Sequence, residues 1–312
     1  MKIACIGNAV FDFTVRGEEF IVEGVRNSFD NASYNPGGPA SNAAYVLAKF
    51  GNLVDFYGQV GNDVNGRYVR EEMEKSKVNI NHLHLSDYVM TPFSFVIISE
   101  KKESRTINSV RSKNDFVGAK IHNVKFDSDY DIILTDGKYS QDTIDLINKN
   151  SKAITIIDAG RVNDDVIKVC ENINYIICSE DFANGVTSET LDGSYEKDII
   201  VYKKIQQRFP NAIGIAITVG ARGYICEKNG EIVNCSSYNS GLKAIDTNCA
   251  GDIFHGAFTH AIANGYSYCE SLEFANVTAS LSTTKTGGRD SCPELYEVEN
   301  ILKGYQKKYI IR

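Results

Sequence analysis

The chain has 312 residues, 43% of them hydrophobic and 23% charged, with a formal net charge of -7. That length buries a full core, as one large α/β unit or a main domain with a small attachment, and the composition excludes collagenous and disordered classes. The acidic balance gives no general attraction for nucleic acid or an anionic membrane, although a small local anion pocket stays open.

No run reaches the roughly 18 apolar residues of a membrane span. The opening MKIACIGNAVFDF reads as a first strand rather than a secretory leader, so the cytoplasm is the default compartment. Eight cysteines, at 5, 170, 178, 226, 235, 249, 269 and 292, contain no C-x-x-C and no close His partner. They read as thiols, not as a disulfide or zinc framework.

In chain order, KIACIG predicts a short buried strand ending at Gly7. Residues 13–30 then alternate without a helix, as an antiparallel excursion does. ASNAAYVLAKFG predicts a small-residue helix closed by Gly51, followed by a strand in VDFYGQVG and a helix in GRYVREEMEKS. A second excursion occupies 88–111 and contains FSFVIISEKKESRTINSV. Short apolar runs then return between helical segments, in DIILTDG, TIDLINKN, AITIIDAG, DDVIKVCE and NYIICS. This rhythm predicts a mostly parallel sheet covered on both faces. The two excursions predict a small sheet above the carboxyl ends of the strands, where open α/β sheets bind ligands. After GIAITVGARG, the KNGE centre of YICEKNGEIVNC predicts a type I′ hairpin. Three helices close the chain.

The chemistry concentrates in three segments. In AIDTNCAGDIFHGAF (244–258), a helix starting near Gly251 leaves the amides of 249–252 unpaired, and the small Ala250 and Gly251 let an anion approach them. Asp252 in the first turn sits in the positive field of the helix end and stays ionised, able to accept a proton. In NPGGPASNAA, Gly37 and Gly38 permit special backbone angles or close ligand approach, and Asn42 offers a donor and an acceptor to a polyol. Asp12, just after the first strand, is expected to project from its carboxyl end toward two hydroxyls. In ITVGARGY, Gly220 and Gly223 hold a loop suited to nucleotide phosphates, with Arg222 near them or solvated. Neither a P-loop nor a dinucleotide fingerprint is present, which weighs against an NAD-dependent oxidoreductase. Taken singly, each feature also has a plain structural explanation. His255 borders the Asp252 face or belongs to the core, and His82 and His84 lack partners at zinc spacing.

Together, GGPASN at 37–42, TVGARG at 218–223 and DTNCAGD at 246–252 resemble the two signatures and the nucleotide loop of the ribokinase-like (PfkB) carbohydrate kinase family. The order spans almost the whole chain, through TTKTGGRDSCP at 283–293. The resemblance implies one ribokinase-like three-layer α/β domain over 1–312, with a central mostly parallel sheet and a small β-sheet lid. It also implies transfer of the γ-phosphoryl group of ATP to a sugar hydroxyl, with Asp252 as base and the amides of Cys249, Ala250 and Gly251 as anion hole. Asp12, Gly37, Gly38 and Asn42 would hold the sugar, and Thr218, Gly220, Arg222, Gly223 and Asn276 the nucleotide. Mg2+ would accompany ATP. A potassium ion would lie at Asp246, Asn248, Ser282, Lys285, Gly287 and Ser291, largely on backbone oxygens.

Two departures stand out. Cys249 replaces a glycine of the family motif and is expected to need ordinary backbone angles. Ser179 and Phe182 fall where many relatives have Asn-x-x-Glu for the magnesium-water network, with Glu180 or Asp181 as substitutes. Arg105, in ESRTINSV, resembles the RTI of ketose and acidic-sugar kinases, or else pairs with an acid on the lid. A ketohexose such as fructose leads as substrate; a 2-keto acid sugar, a sugar phosphate or a nucleoside follows. A sugar sensor that kept the fold is the remaining alternative. The apolar FSFVII run predicts a homodimer through the lid.

Overall fold

The computed structural model describes residues 1–18, 21–99, 101, 104–110 and 118–309. The nine strands of the large sheet are β1 (Lys2–Ile6), β4 (Leu53–Gly61), β5 (Asn79–Ser86), β8 (Ile132–Thr135), β9 (Ile154–Ala159), β10 (Tyr175–Ser179), β11 (Gly214–Thr218), β12 (Tyr224–Lys228) and β13 (Glu231–Cys235). They lie in the order β13-β12-β11-β10-β9-β8-β1-β4-β5. All pairings are parallel except those of the β11-β12-β13 edge. Asn229 and Gly230 both take positive φ, 54° and 83°, which is the type I′ turn that KNGE requires.

Helices cover both faces. The central strand shows why: in β1, Ile3 and Cys5 point into one core while Ala4 and Ile6 point into the other. The first core is closed by α1 (Pro39–Lys49), α2 (Val64–Lys75), α7 (Ala250–Ala263), α8 (Tyr268–Ser282) and α9 (Leu295–Tyr309). The opposite face carries α3 (Ser140–Lys149), α4 (Asp164–Cys170), α5 (Glu180–Thr187) and α6 (Tyr195–Arg208). Helix α7 is buried continuously from Ile253 to Ile262. It reaches α1 closely because Gly256 has no side chain: a Cβ there would stand 2.7 Å from the Val46 Cβ. This contact fixes the start of α7 relative to the start of α1, on which the site depends.

The sequence pattern did not flag β5, α5 or α6. In β5, NINHLHLS, the alternation changes phase between Asn81 and His82, so Ile80 falls on one set of alternate positions and Leu83 and Leu85 on the other. Helix α5 is only eight residues long, and its start coincides with the Ser179–Phe182 departure from the family motif.

The smaller sheet has the order β3-β2-β6-β7, built from β2 (Val10–Gly17), β3 (Asn31–Gly37), β6 (Phe93–Ser99) and β7 (Ser104–Val110). Two expectations are corrected here. The first excursion is not 13–30 but the hairpin arms 10–17 and 31–37, with no helix or strand among the described residues between them. The central pair β2-β6 is parallel, which excursions separated by βαβ units allow and a simple antiparallel meander does not. Residues 19–20, 100, 102–103 and 111 of the expected lid lie outside the described residues. The lid is two-faced. Phe11, Phe13, Tyr34, Phe93 and Phe95 stack on one side, with Phe13 5.1 Å from Tyr34 and 5.5 Å from Phe95. Asp12, Thr14 and Arg16 alternate onto the other. Among the described residues, no helix is long and apolar enough to cross a membrane.

Candidate active site

The start of α7 is the centre of the site. Its N-cap, Cys249, adopts φ 61° and ψ 6°. The expectation of ordinary angles is therefore corrected: the cysteine occupies the left-handed position that glycine fills without strain. This bend aims the first-turn amides outward. At Gly251 an added Cβ would meet nothing within 4 Å, so the approach to those amides is open.

Asp252 is held by Asn42, whose Nδ2 donates to Oδ2 at 2.6 Å and also lies 3.3 Å from the Cys249 Sγ. Asn42 is the fourth residue of α1, and its buried Oδ1 has no partner. Burial pushes the Asp252 carboxyl up to about 6; the Asp158 charge adds to this, while Asn42, His255 and Arg105 oppose it. Beneath Asp252, the buried ring of His255 lies between backbone carbonyls. Its Nδ1 is 2.6 Å from Gly251 O and 3.1 Å from Asp158 Oδ2, and its Nε2 is 3.1 Å from Ile177 O. Burial lowers the His255 pKa, and burial reinforced by Asp136 pushes Asp158 up to about 8. His255 is thus a buried brace under the first turn of α7.

Asp12 is not at the end of β1 as expected; it lies on the lid strand β2, paired in register with Asn35 and Ser94. Its carboxyl is pushed to about 6 by burial, with Ser94 and Arg289 opposing and Asp252 adding. Gly37 is required beside it, because a Cβ would fall 1.9 Å from Asp12 Oδ2. Gly38 caps α1 with φ 97°, and a Cβ there would be 2.5 Å from Asn8 O.

Among the described residues, Arg105, on β7, pairs with no lid acid; its Nη1 donates to Thr247 O at 2.6 Å and lies 3.4 Å from Asn248 Oδ1. Arg289, not singled out in the sequence, is 3% exposed, packs 4.6 Å over the Tyr45 ring, and leaves its Nε and Nη1 without hydrogen-bond partners. The GGRD run carried the only signal for it. Arg16 was likewise missed, since nothing in the first excursion marked it.

The nucleotide positions gather at the β11 end. Thr218 Oγ1 donates to Cys178 O at 3.3 Å, and Gly220 has φ 60° with open space around it. Gly223 is glycine for packing: a Cβ would stand 2.0 Å from Cys235 O. Arg222 pairs with Glu180 at 2.9 Å, and Asn276 Nδ2 donates to Ser236 O at 3.0 Å. The family's magnesium-water positions do not fit. Phe182 is fully buried in the core, and the Ser179 hydroxyl accepts from Phe182 N while donating to Gly160 O.

The potassium positions converge through the loops before α7 and after α8. Asp246 N donates to Thr283 O at 3.1 Å, and Gly287 N lies 3.4 Å from Asp246 Oδ2. A cavity of about 280 Å³ between this turn and the lid is lined by Thr14, Arg16, Asn35, Asn248 and Gly288 among others.

A two-faced lid over the carboxyl ends of a parallel sheet, with an aspartate at an open helix start, defines a phosphotransferase of the sugar-kinase class. The profile of the pfkB family carbohydrate kinases matches residues 1–295, and the chain belongs to that family as an ATP-dependent sugar kinase. It is 25% identical over 292 residues to a ribokinase of Schizosaccharomyces pombe, covering 89% of each chain. It is 22% identical over 325 residues to a fructokinase of Salmonella typhimurium, covering 94% of this chain and 96% of the relative. The structure of Arabidopsis thaliana ribokinase complexed with ribose and ATP superposes with a TM-score of 0.77 at 20% identity, covering 97% and 98% of the two chains.

Proposed function

We propose that Asp252 takes the proton of a sugar hydroxyl while that oxygen attacks the γ-phosphorus of magnesium-ATP. The bond to the β-phosphate oxygen breaks and ADP leaves. The observation that carries this reading is the Asn42–Asp252 hydrogen bond at the open start of α7, which holds a base beside the first-turn amides, of which Ala250 N makes only a long bond of 3.4 Å to Thr247 O. With a pKa of about 6, roughly nine-tenths of Asp252 is ionised at pH 7. The amides of Cys249, Ala250 and Gly251 stabilise the charge on the transferring group, so catalysis is positioning plus electrostatics. Magnesium enters with the phosphates, and no step depends on the Ser179 or Phe182 positions.

For the sugar, Asp12 and the unpartnered Asn42 Oδ1 offer acceptors to hydroxyl groups, and Gly37 and Gly38 let the ring approach. A ketohexose such as fructose is the first candidate, with ribose beside it on the strength of the ribokinase relatives. One observation favours a second reading. The two unpartnered N–H groups of buried Arg289 suit an anionic sugar, such as a 2-keto acid sugar or a sugar phosphate, because a buried guanidinium stays charged. The half-exposed aromatic face of the lid suits a second copy of the chain, and the eight free thiols suit a reducing compartment such as the cytoplasm.

The test is ADP release from magnesium-ATP across ketoses, pentoses, acidic sugars, sugar phosphates and nucleosides. Asp252→Asn is expected to lower the turnover of the accepted sugar about 10²- to 10⁴-fold. Full activity in that variant overturns the base assignment. Silence across the panel with ATP still bound favours an untested substrate or a sensor.

A further inference from the structure

The cation expected at the turn before α7 meets a charge that is already present. Asp246 is the one acidic member of the potassium positions, and both of its oxygens are engaged. Oδ1 accepts from Asn248 N at 2.9 Å, and Oδ2 accepts from Arg16 Nη2 at 2.8 Å. The pair is sheltered, with side-chain exposures of 17% for Arg16 and 5% for Asp246. Three of the remaining positions already have hydrogen-bond partners. Ser282 O accepts from Lys285 N at 3.1 Å and Gly287 O from Asp290 N at 3.2 Å, while the Ser291 hydroxyl donates to Gly288 O at 2.7 Å. Lys285 Nζ turns away to Glu297, 3.4 Å distant. A potassium ion on Asp246 would share its carboxylate with a fixed guanidinium cation, and the two cations would repel in a partly desolvated pocket.

We propose that Arg16 performs the electrostatic task of the monovalent cation, holding the 246–249 turn through Asp246 so that phosphoryl transfer needs no potassium. The arrangement comes from the lid. Arg16 lies four residues beyond Asp12 on the same face of β2, and across β6 it stands in register with Arg105 of β7, through Ile98. The two lid arginines hold successive residues, Arg16 the Asp246 carboxylate and Arg105 the Thr247 carbonyl. Cys249, whose left-handed bend aims the first-turn amides, follows two residues later. A guanidinium donates along fixed directions and cannot diffuse away, so it orients the turn as an ion would while tying that orientation to the seated lid.

This rests on the kinase reading, and two readouts separate its failure from that reading's failure. Rates are measured in N-methylglucamine buffer with about 100 mM KCl or, to match ionic strength, choline chloride. The unmodified protein is expected to turn over equally in both. Arg16→Gln is expected to lose about tenfold or more in choline and to recover in KCl, whereas Arg16→Lys stays potassium-independent. Activation of the unmodified protein by KCl over choline of about threefold or more, or an Arg16→Gln variant that is folded by circular dichroism, undiminished and indifferent to KCl, overturns the proposal. If no sugar is turned over by any of the three proteins, the kinase reading has failed, and thallium-205 NMR still decides the cation question. Tl+ binding by Arg16→Gln and not by the unmodified protein supports the substitution; saturable binding by the unmodified protein overturns it.

Discussion

Asn42→Ala is expected to move the acid limb of kcat/KM upward by about one to two pH units. The Asn42 Nδ2 donates to Asp252 Oδ2 at 2.6 Å, and this bond exists only to the carboxylate's benefit, so it favours the ionised base. A hydrogen bond to a charged group contributes about 1.5–3 kcal/mol, and one pH unit corresponds to about 1.36 kcal/mol. Starting from about 6, the variant's base should titrate at about 7 to 8, leaving half or less of it ionised at pH 7. The assay is kcat/KM for the accepted sugar from about pH 5 to 9 at saturating magnesium-ATP. The plateau is expected to fall as well, because the variant lacks the Oδ1 proposed to hold the sugar, but the plateau does not fix the limb's position. A limb that stays at the unmodified value, or moves to lower pH, refutes both the role of the bond and the assignment of the limb to Asp252.

Cys249→Gly should raise the melting temperature by a few degrees, since a non-glycine residue in the left-handed region costs about 1–2 kcal/mol, and should leave kcat within about twofold. Burial holds the Cys249 thiol well above its usual range, so iodoacetamide at neutral pH should leave Cys249 unmodified in a peptide map while alkylating Cys235, whose thiol the Cys226 hydrogen bond lowers to about 6; alkylation of Cys249, or a tenfold loss of kcat in Cys249→Gly, would assign its sulfur a chemical role. Sedimentation velocity at about micromolar concentration should show a dimer, and Phe95→Lys, on the aromatic face of the lid, should yield monomers. A monomeric unmodified protein removes the lid interface.

The parts of the molecule legible in the sequence are those where one residue type has one physical reason. Gly37 must be glycine because the Asp12 carboxylate lies where its Cβ would be, and Asn229-Gly230 must turn as it does because both residues take positive φ. The continuous apolar run of β1 follows from burial on both faces. What stayed hidden was pairing across long separations. Nothing local in VRGEEF tells that Arg16 meets Asp246, and nothing in GGRD tells that Arg289 stacks on Tyr45 with two N–H groups unpaired. Asp12 could be chosen as a ligand residue from its place after the first strand, yet its strand belongs to the lid, because the hydrophobic alternation of β2 does not say which sheet receives it. Gly223 has a packing reason that its loop does not announce, the Cys235 carbonyl 2.0 Å from where a Cβ would stand.

The parallel pairing of β2 with β6 also governs how the protein is born. During synthesis, β2 and β3 emerge early and can meet as a hairpin, but Phe11 finds Phe93 only after β4, α2 and β5 have been made and placed. Pairings so distant in sequence carry the loop-closure entropy that slows folding. The lid is therefore completed after the layer beneath it has begun to form, and Asp12 and Arg16 reach their positions with it. A nascent chain consequently exposes the aromatic face of β2 and β3 until β6 has been made, so this face, opposite the one that carries Asp12 and Arg16, needs protection from aggregation while the chain is still growing.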